Sequence, residues 1–171
     1  MLARSFLRGL AALALSMASV AMAQTASWLP AGSFLGVGHY LISPNHRAIA
    51  VQQADGNFCV YETGAPSAAT SQNYAWCHMS HGANGNYFTT IQTDGNLCTY
   101  RGTGPGDNHG MTWCSMNYGP AGPHFVILTN EGNLCTHKGN SPTDDWGLMW
   151  CTMDNAIVTV TPGIIDVSQS L

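Results

Sequence analysis

Carboxylate, amide and phenol side chains recur at one fixed spacing in two parts of this chain. Each set holds a glutamine, an acidic residue, an asparagine and a tyrosine; the sets are Gln53, Asp55, Asn57 and Tyr61, and Gln92, Asp94, Asn96 and Tyr100. A carboxylate accepts hydrogen bonds, whereas an amide both donates and accepts them, so together these groups can distinguish the direction of a hydroxyl. The pattern therefore predicts two small sites for a polyhydroxylated ligand.

A third, degenerate copy follows, in which only the asparagine is retained. Its residues are Thr129, Glu131, Asn133 and His137, and we expect this third site to be weak or inactive. The acidic residues of successive copies lie 39 and then 37 positions apart (94−55 and 131−94). A period of this size is typical of a supersecondary unit that buries its apolar face only beside its siblings.

The six cysteines follow the same period. Each copy of the motif contains one, and a later Trp-Cys-x-Met sequence contains the other. Six cysteines in an exported chain indicate disulfides, of which fifteen connectivities exist. The repeat selects the pairing that joins equivalent positions: Cys59–Cys77, Cys98–Cys114 and Cys135–Cys151. A soft-metal site at Cys77-His78-Met79 is the alternative, but the spacing is not that of zinc sites, and we expect no metal and no cofactor.

The N-terminus resembles a secretory signal peptide. Arg4 and Arg8 flank the start of an apolar run over 9–20, and Ala21-Met22-Ala23 is a small-x-small cleavage site. The run is shorter than the ~20 apolar residues of a membrane span, and no later segment approaches that length. We expect a secreted or periplasmic protein that is cleaved near Ala23, with residues 24–171 forming a single domain.

Charged residues make up only 8% of the chain. Without the signal peptide, Arg47, Arg101 and Lys138 remain against nine acidic residues, a net charge of about −6 (3−9). Because no basic stripe exists, nucleic acid is not an expected partner. The polar surface must consist mostly of uncharged groups, which suit sugar hydroxyls better than ions.

The repeats, at about 45–80, 85–117 and 122–154, each predict three short strands, and residues 156–160 predict a closing strand. Asp-Gly or Glu-Gly turns join the first two strands of each repeat, and loops rich in Gly, Pro and Ser precede the third. The expected strands are 47–53, 58–62 and 74–79; 87–92, 97–101 and 111–116; and 125–128, 134–138 and 148–153.

Side chains alternate between the two faces of a strand, which divides each repeat into an inner and an outer face. The inner face takes Phe58, Leu97 and Leu134, while the cysteines and the motif residues lie on the outer face. Trp76, Trp113 and Trp150 then point inward and fill the middle of a three-sided prism. Three histidines are expected on the surface or in loops: His39, His109 and His124.

The motif resembles Gln-x-Asp-x-Asn-x-Val-x-Tyr, the site motif of the bulb-type (monocot) mannose-binding lectins. Residues 35–45 and Trp76 also resemble that family, so the similarity extends from about Phe34 to Val160. It implies an all-β fold, β-prism II, with three four-stranded antiparallel sheets around a pseudo-threefold axis. It also implies that the C-terminal strand completes the sheet begun at the N-terminus, and we expect a homodimer formed by exchange of that strand.

The resemblance implies a role for each motif residue in binding a mannose-type glycan. Asp55 and Asn57 would bind the axial 2-hydroxyl, and Gln53 and Tyr61 the 3- and 4-hydroxyls; the second set would act in the same way. Cysteine replaces the family's valine, which packs against the C3–C4 edge of the sugar. The disulfide either replaces that apolar floor or crowds the pocket.

Other interpretations remain open. The Asp-Gly-Asn sequences also suit hairpin turns without any ligand, although turns alone do not explain the matched glutamine and tyrosine. A lectin-like scaffold also serves an interaction, inhibitor or bacteriocin-type module, or a purely structural protein. An enzyme is not expected, because a hydrolase using Asp55 and Asp94 needs them within ~10 Å of each other, and equivalent turns of different repeats should lie farther apart.

Overall fold

The computed structural model describes residues 26–153, 159–161 and 164–166. The expected signal peptide, residues 1–23, lies outside the described residues, as do residues 156–158 of the expected closing strand. The dimer by strand exchange therefore stays a prediction.

Three four-stranded antiparallel sheets form the body of the molecule, as expected. Sheet 1 contains β3 (Tyr40–Ile42), β4 (Ile49–Gln52), β5 (Phe58–Tyr61) and β6 (Tyr74–Cys77). Sheet 2 contains β2 (Phe34–Gly36), β7 (Tyr87–Ile91), β8 (Leu97–Gly104) and β9 (Asp107–Cys114). Sheet 3 contains β1 (Trp28–Pro30), β10 (His124–Leu128), β11 (Leu134–Ser141) and β12 (Asp144–Cys151). Each repeat thus supplies three consecutive strands, and the segment before the first repeat supplies one outer strand to every sheet.

The C-terminal segment differs from the expectation. β1 pairs with β10 along Trp28–Pro30, so sheet 3 has four strands without a C-terminal contribution. The last described strands, β13 (Thr159–Thr161) and β14 (Ile164–Asp166), pair with each other. The N-terminal segment therefore closes the prism in the described residues.

The glycine-rich segments of repeats 2 and 3 are hairpins, which corrects the expected loops. β8 extends to Gly104 and β9 begins at Asp107, and repeat 3 has the same long hairpin. Gly102 has a φ of 124°, and a Cβ atom there would collide with the carbonyl oxygen of Asp107. Glycine marks a close approach of two strands at this position rather than a loop. Repeat 1 keeps its loop, which includes the short 3₁₀ turn Pro66–Ala68.

The core lies where the inner faces of the three sheets meet. Phe58, Leu97 and Leu134 are fully buried in it, as expected. The three repeated tryptophans pack against this core with ring centroids 5.5, 5.9 and 6.0 Å apart, which confirms the predicted central cluster: Trp76, Trp113 and Trp150. In the described part of the chain, no helix is long and apolar enough to cross a membrane.

The predicted disulfides are confirmed. Each joins directly opposed residues of the last two strands of a sheet, with Cα atoms 4.2, 4.1 and 4.1 Å apart: Cys59–Cys77, Cys98–Cys114 and Cys135–Cys151. Each bond closes a loop of modest length, so each should stabilise the fold by on the order of 3 kcal/mol.

Candidate functional site

The first two candidate sites are built on equivalent hairpins. Gln53 follows β4, Asn57 precedes β5, and Tyr61 ends β5. In the turn between the strands, Asp55 Oδ1 accepts a hydrogen bond from the Asn57 backbone N–H at 3.0 Å. Asp94 and Asn96 repeat that contact at the same distance of 3.0 Å. The aspartate thus holds the turn with one carboxylate oxygen, and it has a second oxygen for a ligand.

The asparagines are held by residues that follow the neighbouring edge strands, β6 and β9. Asn57 Oδ1 accepts the Met79 backbone N–H at 3.0 Å, and Asn96 Oδ1 accepts the Ser115 hydroxyl at 3.0 Å. Only 8% of the surface of either asparagine is exposed. Since the amide oxygens bind protein groups, the Nδ2 amine is the group that each asparagine can offer to a ligand.

A glutamine–tyrosine hydrogen bond completes each set. Gln53 Nε2 donates to Tyr61 Oη at 2.7 Å, and Gln92 Nε2 donates to Tyr100 Oη at 2.5 Å. The glutamine oxygens lie 3.5 Å from Cys59 Sγ and 3.7 Å from Cys98 Sγ. These sulfurs belong to disulfides and carry no proton, so the contacts are not hydrogen bonds. Cys59 and Cys98 therefore lie directly beside the glutamines of their sites.

The second site is the more open one. A cleft of about 490 Å³ is lined by Gln92, Asp94 and Tyr100, together with Phe88 and Asn108. The Tyr100 ring stacks on Phe88 with centroids 5.4 Å apart. In the first site, by contrast, Tyr61 belongs to an apolar cluster that Ala69 of the long loop covers. The glycine-rich hairpin that replaces this loop in repeat 2 leaves Tyr100 more accessible.

The third set is occupied by internal contacts. His137 is only 2% exposed and stacks on Phe125, and its Nδ1 lies 2.9 Å from Asp145 Oδ2. Thr129 Oγ1 accepts a hydrogen bond from the Asn133 backbone N–H at 3.3 Å. In the first two repeats an aspartate accepts the equivalent hydrogen bond. Asn133 is buried, and Glu131 is exposed in the turn. The structure does not bring these residues together in the arrangement of the first two sets.

No protein-family model and no curated protein sequence matches this chain. Solved structures do. A monomeric mannose-binding lectin of Gastrodia elata superposes with a TM-score of 0.57 at 22% identity, over 75% of this chain and 96% of that chain. A lectin of Marasmius oreades gives 0.55 at 24% identity, over 74% and 90%.

The mannose-specific agglutinin of snowdrop bulbs (Galanthus nivalis), solved with methyl-α-D-mannoside, gives a TM-score of 0.53 at 23% identity, over 67% of this chain and 92% of that one. The fold is a lectin β-prism. At these identities the comparison establishes the architecture of the prism, and what its sites bind must be argued from its own residues.

The residue between cysteine and methionine of each Trp-Cys-x-Met sequence has a structural role that the sequence analysis missed. His78, Ser115 and Thr152 accept the backbone N–H groups of Phe58, Leu97 and Leu134 at 3.2, 3.2 and 3.1 Å. These contacts tie the edge strand of each sheet of the prism to the start of the returning strand. The sequence signal for this role is the position itself, which recurs in every repeat. The residue type there differs between repeats, but each type has a hydrogen-bond acceptor in its side chain.

Two histidines of the prism lie in unexpected surroundings. Burial lowers the pKa of His78 to about 4. A hydrogen bond with the backbone of His78 itself and the negative charge of Asp55 raise this pKa, but by less than burial lowers it. His124 was expected at the surface or in a loop, but it begins β10 and is only 4% exposed. Its Nδ1 lies 3.0 Å from the carbonyl oxygens of Thr93 and Gly122, so it joins the turn of repeat 2 to repeat 3. His39 and His109 are exposed, as expected.

The described residues of the prism contain no cluster of three or more His, Cys, Asp or Glu side chains that could hold a metal ion. Asp55 and Asp94 belong to turns of different sheets. The carboxylates are thus part of separate, equivalent sites.

Proposed function

We propose that this protein is a secreted carbohydrate-binding lectin, related to the bulb-type mannose-binding lectins, whose first two repeats bind mannose-type glycans. Residues 1–23 direct it out of the cytoplasm, and its action is binding without catalysis. The duplicated polar set carries the proposal: glutamine, aspartate, asparagine and tyrosine are arranged in the same way in repeats 1 and 2, whereas repeat 3 keeps only the asparagine and replaces the other three residues.

The contacts of each site explain how it would read a sugar. The second oxygen of Asp55 accepts and Nδ2 of Asn57 donates, so the pair matches one hydroxyl that does both. Tyr61 Oη, which already accepts from Gln53, donates its proton to a neighbouring hydroxyl. A sugar with the opposite configuration at one of these hydroxyls leaves the polar groups of the site unpaired. Such unpaired groups discriminate strongly against that sugar.

The disulfide supplies the floor that the valine provides in the lectin family. Cys59 and Cys98 are buried beside the glutamines, whereas their partners Cys77 and Cys114 are half-buried. The carbon edge of a pyranose can pack against the part of each disulfide that these partners expose. A single shallow site should bind with a Kd on the order of 1 mM, about −4 kcal/mol. Two sites in one chain then give useful avidity for branched glycans.

The proposal is tested on a glycan array with the oxidised mature protein beside an Asp55→Ala, Asp94→Ala double variant. Mannose-terminated glycans should bind to the wild type and not to the double variant. Glu131→Ala is the matched control, because Glu131 occupies the same turn position in repeat 3 and should not affect binding.

Circular dichroism and urea unfolding must show that the double variant is folded, because each aspartate also holds its turn. A blank array with folded, fully oxidised wild type would contradict the proposal and favour a protein-binding module on the same prism.

A further inference from the structure

A β-bulge interrupts the pairing of the last two strands of every sheet at the same place. In sheet 1, Cys59 pairs with Cys77 and Val60 with Trp76, but Tyr61 pairs with Tyr74, so Ala75 is the extra residue. The same shift occurs in the other two sheets. The residues brought opposite the site tyrosine or histidine are Tyr74 for Tyr61, Met111 for Tyr100 and Leu148 for His137.

The bulge decides which side chain reaches the face that carries the site. Directly opposed residues project to the same face of a sheet, and a bulge re-aims the side chains beyond it. Without the bulge, Ala75 would stand opposite Tyr61. In repeat 2 the result is visible as a contact, because Met111 Sδ lies 3.0 Å from Cys114 Sγ of the disulfide.

The three re-aimed side chains are large, apolar and exposed: 52% for Tyr74, 59% for Met111 and 46% for Leu148. Isolated exposed apolar residues need no explanation. Here, however, the three occupy the equivalent register position in their sheets, each on the strand that carries the second cysteine of the sheet's disulfide. The repetition indicates that the position has a use on the outer face of the prism.

We propose that Tyr74 and Met111 form an apolar shelf for the second sugar of a mannose-type oligosaccharide whose terminal residue occupies the polar site. This inference rests on the proposed function. Strands of a sheet lie ~4.8 Å apart. Gln53 follows β4, and Tyr74 lies on β6, on the opposite side of Tyr61. The shelf therefore lies about 10 Å from the line of β4, on the side of the polar set away from the glutamine, where the next sugar would extend.

The expected specificity follows from the chemistry of the shelf. It offers an apolar surface that matches the C–H face of a pyranose, and an aromatic ring such as Tyr74 presents the larger rigid area. We expect a monosaccharide that fills only the polar site to make little contact with the shelf, because the shelf lies on the side of Tyr61 away from Gln53. The shelf thus selects chain length and linkage, whereas the polar set selects the terminal sugar.

The test compares methyl α-mannoside with a mannose disaccharide by calorimetric titration, in a full-length Asp94→Ala protein so that only repeat 1 binds. Tyr74→Ala should weaken binding of the disaccharide by roughly 3- to 10-fold and leave the affinity for methyl α-mannoside unchanged within a factor of about 2. Tyr74→Phe should retain both affinities. Leu148→Ala is the matched control in the repeat without a complete polar set, and it should change neither.

Two results would overturn the inference alone: an unchanged disaccharide affinity in Tyr74→Ala, or an equal loss for both ligands, which would make Tyr74 part of the scaffold. If neither the wild type nor the Asp94→Ala parent binds either ligand, the proposed function is wrong, and the inference about the shelf is wrong with it.

Discussion

His78 Nε2 lies 3.2 Å from the backbone nitrogen of Phe58, a fully buried core residue at the start of β5. A second backbone N–H, that of Ser80, lies 3.1 Å from the other ring nitrogen. A neutral imidazole carries one N–H and can accept at only one of these nitrogens, whereas a protonated imidazole carries an N–H at both and accepts at neither. Acceptance of the Phe58 N–H therefore requires the neutral ring, which links the charge of one histidine to the anchoring of an edge strand.

Stability should fall as the pH decreases from about 6.5 to 4. The pKa of His78 is lowered from 6.5 to about 4 in the folded protein by burial, so between these values the unfolded chain binds a proton that the folded one excludes. The contribution of His78 is complete above pH 6.5 and decreases by up to about 3 kcal/mol at pH 4. Urea unfolding at pH 7, 5.5 and 4.5 measures this slope.

His78→Ser isolates that effect, because serine occupies the equivalent position in repeat 2 and retains an acceptor for the backbone N–H. The variant should be less stable at pH 7, since the ring stacks on Trp113 with centroids 4.9 Å apart. Its stability should nevertheless depend less on pH than that of the wild type. Equal slopes for both proteins would show that other groups cause the acid sensitivity.

Tyr100→Phe should weaken binding of methyl α-mannoside at site 2 by about 5- to 10-fold, the loss expected from one hydrogen bond. The variant removes only the hydroxyl that pairs with Gln92, and the stacking of the ring on Phe88 is retained. The measurement is a titration in an Asp55→Ala background. Tyr118→Phe is the control, because Tyr118 is exposed and lies outside the set; a similar loss there would count against a role for Tyr100.

Removal of a disulfide should separate stability from binding. The pairs Cys98→Ala with Cys114→Ala and Cys135→Ala with Cys151→Ala should each lower the free energy of unfolding by about 2–4 kcal/mol. Only the first pair should also weaken sugar binding, because Cys98 Sγ lies 3.7 Å from Gln92. Urea unfolding and binding to immobilised mannan measure the two effects. Unchanged mannan binding by the folded first variant would mean that the sulfur is not part of the floor.

Gly56→Ala should destabilise the protein by about 2 kcal/mol. Gly56 has a φ of 88°, and a Cβ atom there would lie 2.6 Å from Cε1 of Tyr87. Gly106→Ala is the matched control, since no atom lies within 4 Å of its Cβ position. Thermal unfolding compares the two, and equal midpoints would show that the turn relaxes without cost.

The repeat made much of this fold predictable from sequence. The equivalent places of the cysteines in the three repeats selected the disulfide pairing, and alternation along the strands placed Phe58 and the central tryptophans correctly. The long hairpins of repeats 2 and 3 were not predictable in the same way, because glycines that permit close strand contact have the same sequence signal as glycines in loops. Gly102 is such a residue.

The features that escaped prediction depend on contacts between distant residues. The burial of His124 depends on the turn of the preceding repeat, which strand alternation does not describe. The bulges at Ala75 and its equivalents shift a register by one residue, and only the pairing itself shows which side chain stands opposite Tyr61. The polar sets were found as motifs, whereas the apolar residues beside them required the structure.

Every disulfide lies within one sheet and joins two neighbouring strands. Its two cysteines are 16 or 18 positions apart in the sequence. The correct partner of each cysteine is therefore also a nearby one in sequence, and random pairing in the unfolded chain already favours it. Oxidative folding should proceed repeat by repeat and require an oxidant but little isomerase activity. A compartment that forms disulfides without proofreading them efficiently would still yield the native protein.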